Sequence, residues 1–343
     1  MARRRVAIVG LGMVVDMHAR SLADLSDRVE VVHAYSPTAK RREAFATRYS
    51  FPLADRLEAI LDDAGVEAVI VLSPAGSHGE IVKRCAAAGK HVLLEKPVEI
   101  TTARAEEAVA ACEAAGVTLG VVFQHRFRPA GQALRRIIAE GQLGELAGCS
   151  TSIRLWRPQS YYDEPGRGTF ARDGGGVLIS QGIHTLDLML SLAGPVAEVR
   201  GYAMTSPLHR METEDMVAAG VRFANGALGT IDATTAAYPG FPERIEMIFA
   251  NGSAALVGTG LEVAFHDGRR ESVAPFSTPG GTGADPMAFP HDWHRSVIED
   301  FLDALDEGRP PAVTGREALR VHRLIDALIE AGSSDGTVAV RAD

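Results

Sequence analysis

Two glycines near the start of the chain have the type and spacing that suit a bound phosphate. In "VAIVGLGMVVDMHARSL", Gly10 and Gly12 follow an apolar run and precede a helical pattern. Such a turn lets backbone N–H groups and a helix dipole approach an anion. Val15 replaces the third small residue of a dinucleotide fingerprint, which serves helix packing. We expect a dinucleotide site that includes Met13 and Val14, with a purely conformational turn as the alternative.

The tip of the second strand pattern, "VVHAYSPTAKRREAF", indicates which dinucleotide binds. Ser36 stands where NAD-selective folds usually place an acidic residue for the ribose 2′-hydroxyl. Thr38, Lys40 and Arg41 follow and offer hydroxyls and cations to a 2′-phosphate. The pattern therefore predicts NADP as the preferred cofactor, with NAD as the alternative. An ordinary helix start, with Ser36 as the N-cap and Pro37 at the first helical position, is compatible with this interpretation.

The elements around these residues predict a two-domain α/β chain. Apolar, β-branched runs alternate with helical patterns up to about residue 123: "VAIVG", "VEVVHAYS", "EAVIVLSP", "KHVLLEK" and "TLGVVFQ". Alternation of this kind indicates βαβ units and a parallel sheet that helices cover on both faces. Residues 1–123 are therefore predicted to form a doubly wound nucleotide-binding domain.

From residue 124 onwards the pattern changes to one helix followed by many strands. The turns "FANGA", "FANGS" and "FHDGR" place Asn-Gly or Asp-Gly between apolar runs, which is a strong hairpin signal. Two amphipathic helical patterns close the chain. Residues 124–343 are therefore predicted to form a second, α+β domain built on a mostly antiparallel sheet.

Composition excludes several classes of partner. The 343 residues carry a formal net charge of -9 and no basic block beyond Arg3–Arg5, which argues against nucleic acid. Apart from the glycine-broken N-terminal run, which lacks a cleavage pattern, no window resembles a signal or a membrane span. The cysteines, Cys85, Cys112 and Cys149, are far apart and lack metal spacing. We expect a cytoplasmic protein without a metal.

Further motifs resemble those of the glucose-fructose oxidoreductase, inositol dehydrogenase and rhizopine-catabolism (Gfo/Idh/MocA) family. They are "VLLEKPVEIT", "GGGVLISQGIHTLDLML", "SPAGSH", "FQHRFRP", "RPQSYYD" and "VTGREAL". The resemblance covers nearly the whole chain. The resemblance implies a Rossmann domain, a second domain with a large open sheet, and a substrate between them. It also implies oxidoreduction of a sugar, cyclitol or related alcohol with a pyridine nucleotide, with Lys96 and His184 as the catalytic pair.

The chemistry of alcohol oxidation suits this pair. The cofactor accepts only the hydride, so the hydroxyl proton needs another acceptor. His184 can take that proton at neutral pH, and Lys96 can stabilise the developing alkoxide. Many family members have aspartate four residues before the histidine, whereas this chain has Ser180, which cannot carry that charge. A capping or core histidine is the alternative role of His184.

The remaining site predictions place residues around the cofactor and the substrate. Candidate cofactor contacts beyond the glycine turn and the Ser36 segment are Ser73, Pro74, His78, Glu95, Lys96, Gln124 and Arg126. Candidate substrate contacts are Lys96, Arg157, Tyr161, Tyr162, Ser180, His184 and Asp187. The aromatic segment "QSYYD" suits stacking on a sugar ring, although aromatic anchors into the core are equally consistent with it.

These observations favour an NADP-dependent dehydrogenase of a sugar, cyclitol or nucleotide sugar. A non-catalytic NADP-binding regulator is the alternative from another class, and Val15 and Ser180 would be its first signs. A dihydrodiol or aldehyde reductase is the alternative among enzymes. An open sheet needs a cover on its second face, so we expect a homodimer or homotetramer.

Overall fold

The chain divides into two compact units, each with its own sheet. The computed structural model describes residues 3–274, 276, 282–283 and 290–342. Unit 1 contains Met1–Gln124 and Pro290–Leu319, and unit 2 contains His125–Phe289 and Arg320–Asp343. The predicted second domain, 124–343, included residues 290–319, which the structure groups with unit 1 instead.

Unit 1 is built on a six-stranded parallel sheet with the order β3-β2-β1-β4-β5-β6. Every residue of β4 is buried, as expected for a strand covered on both faces. The predicted doubly wound parallel sheet is confirmed. Its strands are β1 (Arg4–Val9), β2 (Val29–Tyr35), β3 (Leu53–Ala54), β4 (Ala68–Val71), β5 (His91–Leu94) and β6 (Leu119–Val121). Its helices are α1 (Val15–Asp24), α2 (Ala39–Ala46), α3 (Glu58–Leu61), α4 (His78–Ala87), α5 (Thr102–Ala114) and α10 (Asp292–Glu307).

Helix α10 explains why a late segment of the chain belongs to unit 1. Its buried stripe, which includes Val297 and Phe301, packs on α1. At its end Asp306 accepts a hydrogen bond from Arg4 Nε at 2.8 Å. The sequence predicted the helical periodicity of this segment but not the surface that the helix covers. An amphipathic pattern shows which face of a helix is buried, and it does not show which element packs against that face.

Unit 2 is built on a nine-stranded sheet with the order β14-β13-β12-β11-β7-β10-β9-β8-β15. All of its pairs are antiparallel except β7 with β10, so the predicted mostly antiparallel sheet is confirmed. The three predicted hairpins join β9 to β10, β11 to β12 and β13 to β14. The strands are β7 (Leu146–Arg154), β8 (Val196–Met204), β9 (Met216–Phe223), β10 (Leu228–Thr234), β11 (Arg244–Phe249), β12 (Gly252–Val257), β13 (Gly260–Phe265), β14 (Arg270–Val273) and β15 (Val338–Ala339).

One face of this sheet is covered within unit 2 and the other is open. Helices α6 (Pro129–Ala139) and α9 (Ile183–Ala193) pack on the covered face. Strand β11 alternates exposed and buried residues, as a half-buried strand requires. Tyr202, Leu228 and Ile248 are exposed on the open face. The remaining helices are α7 (Gln159–Tyr162), α8 (Phe170–Asp173) and α11 (Gly315–Gly332), within which the boundary between the units falls.

One helical stretch in the described part of the chain has the length and hydropathy to cross a membrane. It covers Phe170–Ala193, and 78% of its most apolar window is buried inside the protein. Burial of that extent is what a core helix of a folded domain requires.

Candidate functional site

The glycine turn between β1 and α1 is closed on one side and open on the other. Gly10 has a φ of 109°, and a Cβ there would lie 2.4 Å from the carbonyl carbon of Leu72. Only glycine fits this position. At Gly12, by contrast, a Cβ would meet nothing within 4 Å. Val15 begins α1 and is 4% exposed, so its side chain packs into the core and leaves the turn open. The turn can therefore approach a phosphate.

The tip of β2 combines a buried serine with exposed cations. Ser36 is 1% exposed, and its carbonyl accepts a hydrogen bond from Arg42 Nη1 at 2.6 Å. Thr38, Lys40 and Arg41 are exposed. The N-cap of α2 is Thr38, so the alternative with Ser36 as the N-cap is wrong. No carboxylate occurs between Ser36 and Arg42, so this tip presents positive charge.

Glu95 holds the backbone of Lys96 at the end of β5. Its Oε1 accepts a hydrogen bond from His18 Nε2 at 2.8 Å, and its Oε2 accepts one from the Lys96 backbone N–H at 3.1 Å. Burial raises the pKa of Glu95, but the hydrogen bond from His18 and the nearby positive charges, that of Lys96 among them, together outweigh burial and lower the pKa. The carboxylate thus links the helix after the glycine turn to the backbone of the predicted catalytic lysine.

Among the described residues, only His18, Glu95 and His294 form a group that could hold a metal. Their ligand atoms lie within 4.8 Å of one another, and all three residues are buried. Burial, followed by the charge of His18, lowers the pKa of His294 to about 3, so its ring is neutral. The hydrogen bond between His18 and Glu95 already satisfies the shared carboxylate oxygen, and we assign no metal to the group.

The other predicted contacts of unit 1 lie at the ends of β4 and β5. His78 is buried, and its ring nitrogens lie 2.7 Å from the Ser73 carbonyl oxygen and 2.8 Å from that of Pro97. Burial lowers the pKa of His78. The ring therefore clamps two loops, while Pro74 is exposed beside them. Gln124, which ends the first segment of unit 1 after β6, is 5% exposed.

In unit 2 the glycine-rich segment before His184 is fixed by a buried carboxylate. Glu214 accepts hydrogen bonds from the backbone N–H groups of Gly176 at 2.9 Å and Leu178 at 3.1 Å. A Cβ on Gly176 would lie 1.7 Å from the Glu214 carbonyl oxygen, which explains the glycine. A π-helical turn, Leu178–Gly182, follows, and within it Ser180 donates a hydrogen bond to the Gly175 carbonyl at 3.3 Å.

His184 lies at the start of α9, beside charged groups that the sequence did not single out as partners. It is 8% exposed, and its ring stacks on His125 with centroids 4.8 Å apart. Thr185 donates a hydrogen bond to Glu243 Oε1 at 2.6 Å. Arg126 and Asp187, predicted for the cofactor and the substrate, form a buried ion pair at 2.7 Å.

The aromatic loop holds itself together through two of its predicted substrate contacts. Arg157 is 2% exposed and donates to the carbonyls of Trp156 and Thr282. The Tyr162 hydroxyl lies 2.6 Å from that of Thr235, and burial raises its pKa. Tyr161 is only half-buried; its hydroxyl accepts a hydrogen bond from Gln181 at 3.2 Å. Of these three side chains, Tyr161 has the exposed ring surface that could stack on a ligand.

The residues that hold the predicted site residues in place were not predictable from the sequence. No local signal distinguishes His18, Glu214 or Glu243 from ordinary helix or loop residues, because each acts on a segment far away in the chain. His125 lies between the predicted cofactor contacts Gln124 and Arg126, in a segment expected near the nicotinamide, but its stacking on His184 was not predicted. The glycine turns, by contrast, carry their signal within a few neighbouring residues.

Comparison with known proteins gives matches along most of the chain. The family model described as "Oxidoreductase family, NAD-binding Rossmann fold" (GFO_IDH_MocA) matches residues 4–123, and the "GFO/IDH/MocA C-terminal domain" model matches residues 132–255. The chain is 32% identical to a 1,5-anhydro-D-fructose reductase from Ensifer adhaerens, over 84% of this chain and 85% of that one. It is 26% identical to a myo-inositol 2-dehydrogenase from Thermotoga maritima, over 91% of each chain.

A solved structure gives a match of similar extent. The WlbA dehydrogenase from Bordetella pertussis, in complex with NADH and UDP-GlcNAcA, has a TM-score of 0.86 and 25% identity, over 99% of each chain. The likeness therefore extends over both the parallel sheet and the large antiparallel sheet described above.

Proposed function

Because the chain belongs to the Gfo/Idh/MocA family of NAD(P)-dependent oxidoreductases, we propose that it transfers a hydride between NADP(H) and a secondary alcohol of a sugar, cyclitol or nucleotide sugar. The observation that carries this proposal is the β1–α1 turn, which is closed at Gly10 and open at Gly12. A turn of this shape fits a dinucleotide pyrophosphate. Retention of both Lys96 and His184 favours an active enzyme over a nucleotide-binding regulator.

The preference for NADP follows from the tip of β2. A carboxylate there would accept a hydrogen bond from a ribose 2′-hydroxyl and repel a 2′-phosphate. This chain has none between Ser36 and Arg42, and Lys40 and Arg41 are exposed at the same place. Cations of this kind attract a phosphate dianion. The neighbour from Bordetella pertussis binds NADH, so the preference is a property that we propose for this chain alone.

In the proposed mechanism the protein handles the proton. A bound nicotinamide supplies the acceptor for the hydride. The Lys96 ammonium donates a hydrogen bond to the substrate hydroxyl oxygen and stabilises the negative charge that develops there. His184 takes the hydroxyl proton and returns it in the reverse direction. Ser180 cannot carry a charge that would tune either group, and its hydroxyl already donates to the Gly175 carbonyl.

The substrate class rests on the relatives and on Tyr161. The relatives are named for an anhydro sugar and for myo-inositol, and the structural neighbour holds a nucleotide sugar. All three ligands carry several hydroxyls on a ring. The half-buried Tyr161 ring, with the Arg167 guanidinium 4.8 Å from its centroid, suits stacking on such a ring. Asp187 is less suited to a sugar hydroxyl, because Arg126 already binds it.

The first experiment measures nucleotide affinity. Fluorescence titration of the purified protein should give NADPH a dissociation constant at least about tenfold lower than that of NADH. Arg41→Ala should weaken NADPH and leave NADH unchanged, and Ser36→Asp should reverse the preference. Thr47→Asp adds the same charge at the exposed far end of α2 and serves as the control. Equal affinity for the two nucleotides would refute the preference.

A substrate screen follows with the nucleotide that binds. We expect reduction of NADP in the presence of at least one compound from a panel of cyclitols, aldoses, anhydro sugars and UDP-sugars. If a nucleotide binds but no panel member is oxidised, and no matching ketone or aldehyde is reduced, the regulator becomes the better explanation. If no nucleotide binds and none copurifies, the cofactor site itself is refuted.

We also propose a homodimer or homotetramer formed through the open face of the nine-stranded sheet. Tyr202 is 79% exposed on that face, and Leu228 and Ile248 are 61% and 62% exposed. Apolar side chains in a group of this kind favour a covering partner. Light scattering of the protein and of Leu228→Glu/Ile248→Glu tests this, since the charged variant should be monomeric.

We place the protein in the cytoplasm on the state of its cysteines. Cys85, Cys112 and Cys149 are buried free thiols. Burial raises the pKa of Cys112 to about 11 and that of the other two to about 12, so all three are protonated and unreactive. Thiols of this kind suit a reducing compartment. Fractionation of cells that express the chain tests the location.

A further inference from the structure

Four side chains of unit 2 form a connected set around His184. We call His125, Arg128, Thr185 and Glu243 the His184 cluster. Thr185 donates to Glu243 Oε1 at 2.6 Å, and Glu243 Oε2 lies 3.6 Å from Arg128 Nη1. Arg128 Nη2 hydrogen-bonds His125 Nε2, and the His125 ring stacks on His184 at 29°. The cluster therefore reaches both the flank of His184 along α9 and the face of its ring.

The hydrogen bond from Arg128 fixes the protonation of His125. A guanidinium has only donors and stays charged in proteins, so the bonded Nε2 of His125 must be the acceptor. The proton of the neutral ring then lies on Nδ1, which is 3.8 Å from Glu243 Oε2. A second proton on Nε2 would face the guanidinium directly. His125 and Arg128 are each 7% exposed, so water screens this repulsion little.

The charged groups around the stacked rings balance one another. Arg128 is paired with Glu243, and Arg126 is paired with Asp187. Burial lowers the pKa of Arg128, and the charge of Glu243 opposes that change. Among the described residues of unit 2, these two ion pairs supply the charged groups that the contacts given above place beside His125 and along α9. The contacts given above therefore pair each arginine beside the stacked rings with a carboxylate.

We propose that His125 is a positioning residue, kept neutral by the Arg128 guanidinium, which is paired with Glu243, so that His184 is the one ring of the stacked pair that accepts a proton. The neutral state of His125 is inferred from the contacts alone, whereas the role of His184 as the proton acceptor rests on the proposed function. Two imidazolium rings at stacking distance repel each other, so a proton on His125 would reduce the proton affinity of His184. A neutral His125 instead offers its π face to a protonated His184.

Loss of the Arg128 donor should reverse the order of protonation. In Arg128→Met, His125 Nε2 loses its donor and Glu243 loses its cation. The unpaired carboxylate then favours a protonated His125, and the new charge lowers the pKa of His184 by about one unit or more. Arg128→Lys keeps a donor and a positive charge, so it is the matched control and should leave both rings as in the wild type.

The direct test is nitrogen NMR of the full-length protein labelled with ¹⁵N-histidine. Two-bond ¹H–¹⁵N spectra distinguish the two neutral tautomers from the charged ring, and His125→Phe and His184→Phe assign the signals. From about pH 5.5 to about pH 8.5, His125 should remain the neutral Nδ1–H form in the wild type and in Arg128→Lys. In Arg128→Met it should titrate within that range. A wild-type His125 that titrates, or that carries its proton on Nε2, overturns the proposal.

The double variant Arg128→Met/His125→Phe separates the stacked charge from general damage. Phenylalanine keeps the stacked ring and cannot be protonated, so the His184 pKa should return to its wild-type value. Failure to return means that Arg128 acts on His184 by another route, and the role of His125 is refuted. These spectra need no substrate. A neutral His125 together with full turnover in His184→Ala would leave the tautomer assignment standing and refute the catalytic role of His184 instead.

Discussion

Arg126 and Asp187 bind each other at two points, with Nε–Oδ2 and Nη2–Oδ1 distances of 2.7 Å each. The two side chains are 6% and 1% exposed. The pair joins the 3₁₀ turn Gln124–Phe127 to α9 near His184. A buried bidentate pair of this kind holds two segments in register, and it is costly to leave either charge alone.

Asp187→Ala should therefore destabilise the protein strongly. The variant leaves the Arg126 guanidinium buried without its carboxylate, and we expect the free energy of unfolding to fall by about 3 to 5 kcal/mol. Urea denaturation at pH 7 measures this. The double variant Arg126→Met/Asp187→Leu removes both charges and should recover most of the loss. An Asp187→Ala protein with wild-type stability and lost turnover would instead identify Asp187 as a substrate ligand.

Local signals predicted most of the fold. The all-apolar strand "AVIV" became the fully buried β4, and each Asn-Gly or Asp-Gly turn became a hairpin, because both signals act within a few residues. The parallel pairing of β7 with β10 inside an antiparallel sheet was not predicted. The packing of α10 on α1 was also missed. Each feature depends on which distant segment of the chain a strand or helix packs against. The periodicity of apolar residues shows which face of an element is buried, but it does not identify that segment.

As with the fold, only those site residues that have a local sequence signal were predicted. Gly10 and Gly12 were predicted from their residue type and spacing. In the structure Gly10 leaves no room for a Cβ, and Gly12 borders open space. Glu243 was not predicted, since either glutamate in "PGFPERIEM" resembles an ordinary surface residue until the fold brings Glu243 to Thr185. Arg157 was predicted to contact the substrate, but in the structure it donates hydrogen bonds to backbone carbonyls. The sequence does not separate these two roles, because an arginine in an aromatic loop has the same local pattern in both.

Lys96→Met and His184→Gln test the proposed proton chemistry. Each should lower turnover by about 10² to 10⁴, the range typical of a lost acid–base group, while the NADPH dissociation constant changes by only a few fold. Steady-state kinetics on the substrate found in the screen, together with the fluorescence titration, measures both quantities. Lys83→Met removes a half-buried lysine of α4 that is paired with Glu107, and His266→Gln removes an exposed histidine; neither control variant should change either quantity. Near-wild-type turnover in both test variants would exclude this mechanism.

Alanine substitutions at the two glycines of the first turn should affect different properties: Gly10→Ala should lower stability, and Gly12→Ala should lower nucleotide affinity. Gly10→Ala forces a Cβ into the Leu72 backbone at a φ of 109°, so the free energy of unfolding should fall by about 1 to 3 kcal/mol or more. Gly12→Ala meets no atom within 4 Å and should be as stable as the wild type. Its methyl group would instead point into the space proposed for the phosphates, and NADPH affinity should fall by about tenfold, or about 1.4 kcal/mol. Equal NADPH affinity in Gly12→Ala and the wild type would place the nucleotide elsewhere.

Buried histidines make stability depend on pH, and His322 in α11 gives the simplest test. Burial lowers the pKa of His322 from 6.5 to about 4, so the folded protein keeps this ring neutral where the unfolded chain protonates it. The stabilisation is fully present above pH 6.5 and is lost as the pH falls towards 4. The loss reaches about 3.5 kcal/mol at most, because each pH unit between the two pKa values contributes about 1.4 kcal/mol.

His322→Leu should therefore flatten the pH dependence of unfolding. Urea denaturation at about pH 7 and about pH 5 should give a smaller difference between the two free energies than in the wild type, because leucine takes up no proton in the unfolded chain. His266→Leu removes an exposed histidine and is the control, which should keep the wild-type difference. Burial also lowers the pKa of His294, to about 3, so part of the dependence should persist in His322→Leu. An unchanged difference in His322→Leu would show that this ring is protonated in the folded protein, and the acid sensitivity would then have to come from other groups.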